Sequence, residues 1–243
     1  MRVSVVIPAL NEEVTVAGVV KAARASCASE VIVMDSDSTD ATAAVAGEAG
    51  ATVLNWRDIA PKIPVRPGKG EALWRGVRAA TGDVVVFLDA DVTTVEPGWV
   101  DALAGEFADK RVQLVKATYR RTLEGEDHGG GRVTELTAKP LLKLLFPAIP
   151  ALEQPLAGEY AIRRAAALRL PFVTGYGVEV GLLIDVATAY GSGAITQVNL
   201  GVKTHRNRPL AELADMSDIV ARTILSRARV AGTAVEERPP WVG

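Results

Sequence analysis

Asp89-Ala90-Asp91 follows five apolar residues, Val84-Val85-Val86-Phe87-Leu88. Carboxylates at i and i+2 behind a buried strand are both held near one sheet edge. There they can share one cation and its water shell, or one can take the metal while the other takes a ribose hydroxyl or a metal-bound water. Hard oxygen ligands of this kind suit Mg²⁺ or Mn²⁺ bound together with phosphates. The plain alternative is two aspartates capping the helix that Pro97 opens.

Two more polar clusters follow apolar runs. Asn11-Glu12 comes after Val3–Ile7, and Asp35-Ser36-Asp37-Ser38-Thr39-Asp40 after Val31–Met34. In an open parallel sheet all carboxyl strand ends face one side, where ligands bind. Each cluster alone could equally be a loop cap. The motifs of other nucleotide binders are missing. After Ile7 the chain reads Pro8-Ala9-Leu10-Asn11-Glu12-Glu13 rather than GxGxxG, and no GxxxxGK[ST] occurs. The 2 histidines are too few for a three-histidine zinc site. His205, just past a strand, could complete a Mn²⁺ site with Asp91 as a neutral imidazole. His128, in a polar glycine-rich run, reads as exposed.

The basic residues suggest an anion site. Arg132 follows three glycines, and Val133-Thr134 then open a helix. Free N–H groups, a guanidinium and a hydroxyl can form a phosphate or carboxylate pocket there, which Arg206, Asn207 and Arg208 could close. A solvated arginine on a loop is the alternative. Lys69 precedes a helix start and could meet a diphosphate or only water. Glu179, behind Gly175-Tyr176-Gly177, could accept sugar hydroxyls or simply cap a first turn. Gly158-Glu159-Tyr160 poses the same choice.

The elements that must position these groups alternate. Strands are expected at Val3–Ile7, Val31–Met34, Thr52–Leu54 and Val84–Leu88, with helices at 12–26, 40–49 and 69–80 between them. A helix follows Pro97. This βαβαβ-αβ order implies a doubly wound, Rossmann-like and mostly parallel sheet flanked by helices. The second half is less regular. It offers strands at 112–119, 158–162 and 195–202, and helices at 133–146, 178–190 and 209–228, the first broken near Pro140. Residues 231–243 read as a flexible tail. A single domain, 1–230, is expected, with no internal repeat.

Of the 243 residues, 49% are hydrophobic and 23% charged, which excludes global disorder. The 27 Lys+Arg against 29 Asp+Glu give a net charge of -2, so neither a nucleic-acid coat nor a polybasic membrane patch is indicated. One cysteine, Cys27, excludes an internal disulfide and reads as a small buried hydrophobe. No stretch suits a signal peptide or a membrane span, and a cytoplasmic protein is expected.

The motifs VSVVIPALNEE, DSDSTDAT and the DAD after VVVFL resemble the GT-A nucleotide-sugar glycosyltransferases. GRVTELTAKPLL, GEYAIRR, FVTGYGVEVGLLID and QVNLGVKTHRNRPLAELADMS are similar to the glucosyl-3-phosphoglycerate synthase family, up to about Arg229. The resemblance implies a GT-A fold, with residues 1–118 serving the nucleotide-sugar and 119–230 the acceptor. It implies a retaining, metal-dependent transfer from UDP-glucose to the 2-hydroxyl of 3-phospho-D-glycerate. Pro8, Ala9, Leu10, Asn11, Glu12 and Ser36 would then line the donor, with Lys69, Asp89 and Ala90. Asp91 and His205 would hold Mg²⁺ or Mn²⁺. Gly131, Arg132, Val133 and Thr134 would grip the phosphoglycerate, with Arg206 and Asn207. Tyr176 and Glu179 would orient the glucose, and the protein would be a homodimer. No residue clearly fills the role of a protein nucleophile, which favours front-face attack. Transfer from GDP-mannose or another nucleotide-sugar, and a non-catalytic nucleotide-binding role, remain open readings.

Overall fold

The structure, a computed structural model, describes residues 1–122, 131–204 and 210–242. Its elements run β1 (Val3–Ala9), α1 (Val16–Arg24), β2 (Glu30–Asp35), α2 (Thr42–Glu48), β3 (Thr52–Asn55), α3 (Lys69–Ala79), β4 (Val84–Phe87) and α4 (Pro97–Gly105). Then come β5 (Leu114–Thr122), α5 (Lys139–Leu145), β6 (Tyr160–Arg163), α6 (Arg164–Ala167), β7 (Phe172–Val173), α7 (Val178–Tyr190), β8 (Ile195–Thr204), α8 (Leu210–Arg227) and β9 (Glu237–Arg238).

Seven strands form one sheet in the order β3-β2-β1-β4-β6-β5-β8. All are parallel except β6, which runs antiparallel to β4 and β5. The apolar runs become central strands because both sheet faces are covered. Val6, Ile32, Met34, Val85 and Phe87 point into a core shared with α3, α7 and α8. Val5, Ile7, Val31, Val33, Val84 and Val86 point to the opposite core with α1 and α4. Successive side chains alternate between the two faces, as strand geometry requires.

β1 continues through Pro8 to Ala9, past the break expected at Ile7. Val6 O accepts from Leu88 N, so Val6 and Pro8 face the β4 side. Pairing with β4 ends at Val6 and Phe87, and the missing N–H of Pro8 therefore removes no ladder bond. The helix expected at 133–146 contains a π-helical turn, Thr134–Ala138, immediately before α5. Cys27 is exposed, which corrects its reading as a buried hydrophobe. α1 stops at Arg24, and Cys27 lies in the following turn with its N–H donated to Asp101 Oδ1 at 2.8 Å.

The tail is not loose, contrary to the reading of 231–243 as flexible. β9 pairs antiparallel with β7. Trp241 stacks on Trp74 with ring centroids 3.7 Å apart, and its indole N–H donates to Trp74 O at 2.9 Å. Two tryptophans and a buried arginine supply contacts that the proline-rich composition of the tail conceals. Trp241→Ala should therefore cost about 1–3 kcal/mol of stability, less than a fully buried tryptophan because this ring is partly exposed. Urea unfolding measures it, and an unchanged midpoint would show that the tail contributes nothing.

Candidate active site

The carboxyl ends of β1, β2 and β4 lie along one sheet edge, and their loops are tied together there. Asn11, with φ of 57°, turns β1 into its loop. Its N–H donates to Ser38 Oγ at 3.0 Å, and its Oδ1 accepts from Thr39 N at 2.8 Å. Glu12 N donates to Thr42 Oγ1 at 2.7 Å, and Ser36 N to Ala9 O at 2.9 Å. Pro8 and Ala9 at the end of β1, with Leu10, Asn11, Glu12 and Ser36 of the two tied loops, thus form one wall. Asp37 is committed elsewhere: Arg57 and Asn55 bind it, and its carboxyl is held at about 2, chiefly by the guanidinium.

Next to that wall is a lysine bridge. Lys69 opens α3 and Glu179 lies in the first turn of α7. Lys69 Nζ is 2.5 Å from Asp89 Oδ1 and 2.7 Å from Glu179 Oε1. Burial alone would lower the Lys69 pKa, but the charges of Asp89 and Glu179 outweigh it and hold it well above the ordinary value. Burial would likewise raise the Asp89 pKa, yet Lys69 and Lys203 hold it far below the usual carboxylate range. Lys203, on β8, lies 3.6 Å from Asp89 Oδ2 and 2.6 Å from Glu159 Oε1. Gly158 abuts Asp89 so closely that any Cβ there would collide with the carboxylate.

Ala90 is buried beneath this edge, and Asp91 is exposed. Protein crowded around Asp91 strips part of its hydration, and Asp89 adds like charge. Both raise its pKa, against the pull of Lys203 and Lys69. The two aspartates therefore differ in kind. Asp89 is already neutralised by ammonium groups, whereas Asp91 is exposed at the sheet edge. Among the described residues no three His, Cys, Asp or Glu side chains converge on a metal position. His205, expected to join Asp91, lies outside the described residues, as do Arg206, Asn207 and His128.

Gly131, with φ of 81°, leads into the helical stretch of Arg132, Val133 and Thr134. Glu135 N donates back to Gly131 O at 2.8 Å, and Val133 and Thr134 are buried. Thr137 and Ser217 share a hydrogen bond of 2.7 Å, which fastens this stretch to α8. Tyr176, in the loop before α7, is 43% exposed.

The sequence of residues 4–169 matches the model of glycosyl transferase family 2. Glucosyl-3-phosphoglycerate synthase from Mycobacterium tuberculosis (strain CDC 1551 / Oshkosh) is 48% identical over 96% of this chain and 75% of its own. The crystal structure of a Mycobacterium tuberculosis glucosyl-3-phosphoglycerate synthase with Mn²⁺, UDP-glucose and phosphoglyceric acid superposes with a TM-score of 0.91. It is 45% identical and covers 99% of this chain and 90% of that one. The same synthase with Mg²⁺ and UDP gives a TM-score of 0.89 at 45% identity, covering 98% and 90%.

The chain belongs to glycosyl transferase family 2. Its fold is therefore GT-A, and the antiparallel β6 is the departure from a purely parallel Rossmann-like sheet. No helix among the described residues is long and apolar enough to cross a membrane.

Around the family site lie groups that motif spacing did not reveal. Lys116 of β5 is fully buried, donates to Ala157 O at 2.7 Å and lies 4.4 Å over the Tyr160 ring. Lys203 joins Asp89 to Glu159, the latter a residue that its motif had already raised. The one available signal was a charge inside an apolar strand, as in Val115-Lys116-Ala117, which is costly unless answered. Burial lowers the Lys116 pKa to about 7, only partly opposed by Glu179. The unfolded chain keeps that proton to about 10.5, its ordinary value, so between these pH values it binds more protons than the folded chain. Stability should accordingly rise with pH across this window. In Lys116→Met that component should vanish. Urea midpoints at about pH 7 and pH 9.5 in both proteins test it, and parallel slopes would show that Lys116 stays charged.

Proposed function

We propose that this chain transfers glucose from UDP-glucose to the 2-hydroxyl of 3-phospho-D-glycerate, with retention at the anomeric carbon. The observation that carries this is the superposition on the synthase holding Mn²⁺, UDP-glucose and phosphoglyceric acid, which extends over 99% of the chain at 45% identity. Residues 1–118 serve mainly the donor and 119–230 mainly the acceptor.

Pro8, Ala9, Leu10, Asn11, Glu12 and Ser36 receive the uridine and ribose on the wall they form. Asp89 and Ala90 close that side, and Lys69 reaches the nucleotide while holding Asp89 and Glu179 in register. Glu179 and Tyr176 accept and orient the glucose hydroxyls. Gly131, Arg132, Val133 and Thr134, with Arg206 and Asn207, hold the phosphoglycerate. An exposed carboxylate beside a lysine-neutralised one suits Mg²⁺ or Mn²⁺, so Asp91 is the fitting ligand, with His205 as its partner. When bound there, the ion neutralises charge growing on the departing UDP.

Asp89, Glu159 and Glu179 each accept a lysine ammonium, and such carboxylates are poor nucleophiles. The reading is therefore front-face attack, with the leaving diphosphate oxygen taking the acceptor proton. The residues contribute position and electrostatics. A homodimer in the cytoplasm is part of the same proposal, supported by Leu136 and Leu144, which are exposed on one helical stretch. Light scattering at micromolar concentration checks the dimer.

A donor-by-acceptor screen of purified protein, reading released nucleoside diphosphate, is the direct test. UDP-glucose with 3-phosphoglycerate should turn over best, and EDTA should abolish it. A preference for GDP-mannose, or no turnover with any pair, overturns the reading. Glu179→Gln should cost about 1.5–3 kcal/mol in kcat/KM through the lost charge-assisted bond, while UDP affinity stays nearly unchanged. Parallel loss of both would make Glu179 a structural cap.

Acceptor choice is tested separately. A planar fork beside free helix N–H groups suits a doubly charged phosphate. Arg132→Ala should raise the acceptor KM strongly and shrink the preference for 3-phosphoglycerate over plain glycerate. Steady-state kinetics with both acceptors decide; equal losses would mean that Arg132 does not read the phosphate.

A further inference from the structure

We infer that the C-terminal segment Glu236–Trp241 is a positioning element for the lysine bridge, acting through Arg238 on Glu71. The segment lies outside the matched family region, 4–169, and carries none of the ligand-facing residues assigned above.

Arg238 is buried against the first turn of α3. Its Nε lies 2.5 Å from Glu71 Oε2, and its Nη2 lies 2.8 Å from Glu71 Oε1. This is a bidentate fork on a carboxylate with no exposure at all. Arg75 takes the same carboxylate at 2.7 Å and anchors it to the carbonyls of Trp56, Ile59 and Ile63. Arg238 Nη2 also donates to Pro64 O. Glu71 is two residues beyond Lys69. Whatever fixes the Glu71 side chain therefore fixes the helix turn from which Lys69 reaches Asp89 and Glu179.

The same segment holds the other end of the bridge. β9 pairs with β7 through Phe172/Arg238 and Val173/Glu237, and Thr174 N donates to Glu236 O at 3.1 Å. Glu179 lies six residues beyond the end of β7. Its carbonyls also press on α3: Glu71 N donates to Thr174 O at 3.3 Å, and a Cβ at Gly68 or Gly70 would strike the Thr174 or Val173 carbonyl. β7 is thus wedged between the first turns of α3 and α7, and β9 is its only strand partner among the described residues. Arg66 clamps the outside, through Glu237 O at 2.7 Å and Glu236 Oε1 at 3.0 Å. One short strand therefore sets the distance between Lys69 and Glu179, groups brought together from separate helices. Displacements of an ångström at such groups cost rate steeply.

The inference rests on the proposed transfer reaction for its kinetic readout, and amide exchange tests it without that reaction. Arg238→Lys keeps the charge and loses the fork. Arg66→Ala, at the half-buried clamp, is the milder variant should Arg238→Lys fail to fold. In protein shown folded by circular dichroism, kcat/KM for UDP-glucose should fall by about tenfold. Combined with Glu179→Gln the losses should be markedly less than additive, because both act on one interaction. Amides of Glu71 and Thr174 should exchange faster, while those of β1 and β2 stay protected. A variant that is merely less stable would keep wild-type kinetics well below its melting temperature and combine additively with Glu179→Gln, and either result overturns the inference. If the wild type itself transfers no glucose, the functional reading falls. Exchange at Glu71 and Thr174 then decides this one, unchanged rates refuting it.

Discussion

Burying an ammonium between two carboxylates is favourable only when all three charges are answered together. Lys69 does this between Asp89 and Glu179. The three residues come from the start of α3, the end of β4 and the start of α7, so the bridge is also a geometric constraint on the fold. Losing Lys69 would leave two carboxylates facing each other in a place with little water. Lys203 and Glu159 extend the arrangement below Asp89, and Gly158 makes room for it by having no side chain.

Much of the surrounding architecture can be understood as support for that constraint. The two apolar cores clamp the sheet from both sides, which fixes where β4 delivers Asp89. α3 is buried along nearly its whole length, including the charged Glu71 and Arg75. Glu71, Arg75 and Arg238 form a second buried charge group. Its partners are backbone carbonyls of the irregular segment before α3. A stretch with three prolines and little regular structure thereby finds donors for its carbonyl groups.

The contrast between Asp89 and Asp91 follows from the same electrostatics. Two aspartates two residues apart are alike in sequence. One is wrapped by two lysines and stays ionised to low pH; the other reaches solvent and has its pKa raised by lost hydration and by its neighbour. Of the two aspartates, Asp91 is the exposed one, while Asp89 is held by Lys69 and Lys203. The division of labour between the pair is thus set by which ammonium groups the fold brings near.

What the sequence by itself determined was local. Runs of β-branched residues specified the strands of the first half, because such runs are stable only when buried on both faces. The polar clusters behind them had to fall at one edge, because parallel strands share a direction. The motifs of the second half carried the family likeness, which the comparisons uphold. Partner choice was beyond its reach. Nothing local distinguishes a lysine that bridges two carboxylates from one in water, so Lys69, Lys116 and Lys203 acquired their roles only when distant segments packed. The tail shows the same limit most plainly. Its prolines and glutamates read as loose chain, yet Arg238 and Trp241 find Glu71 and Trp74 more than 160 residues away. Contacts of that range depend on tertiary packing, since only the folded chain removes the water that would otherwise satisfy each group alone.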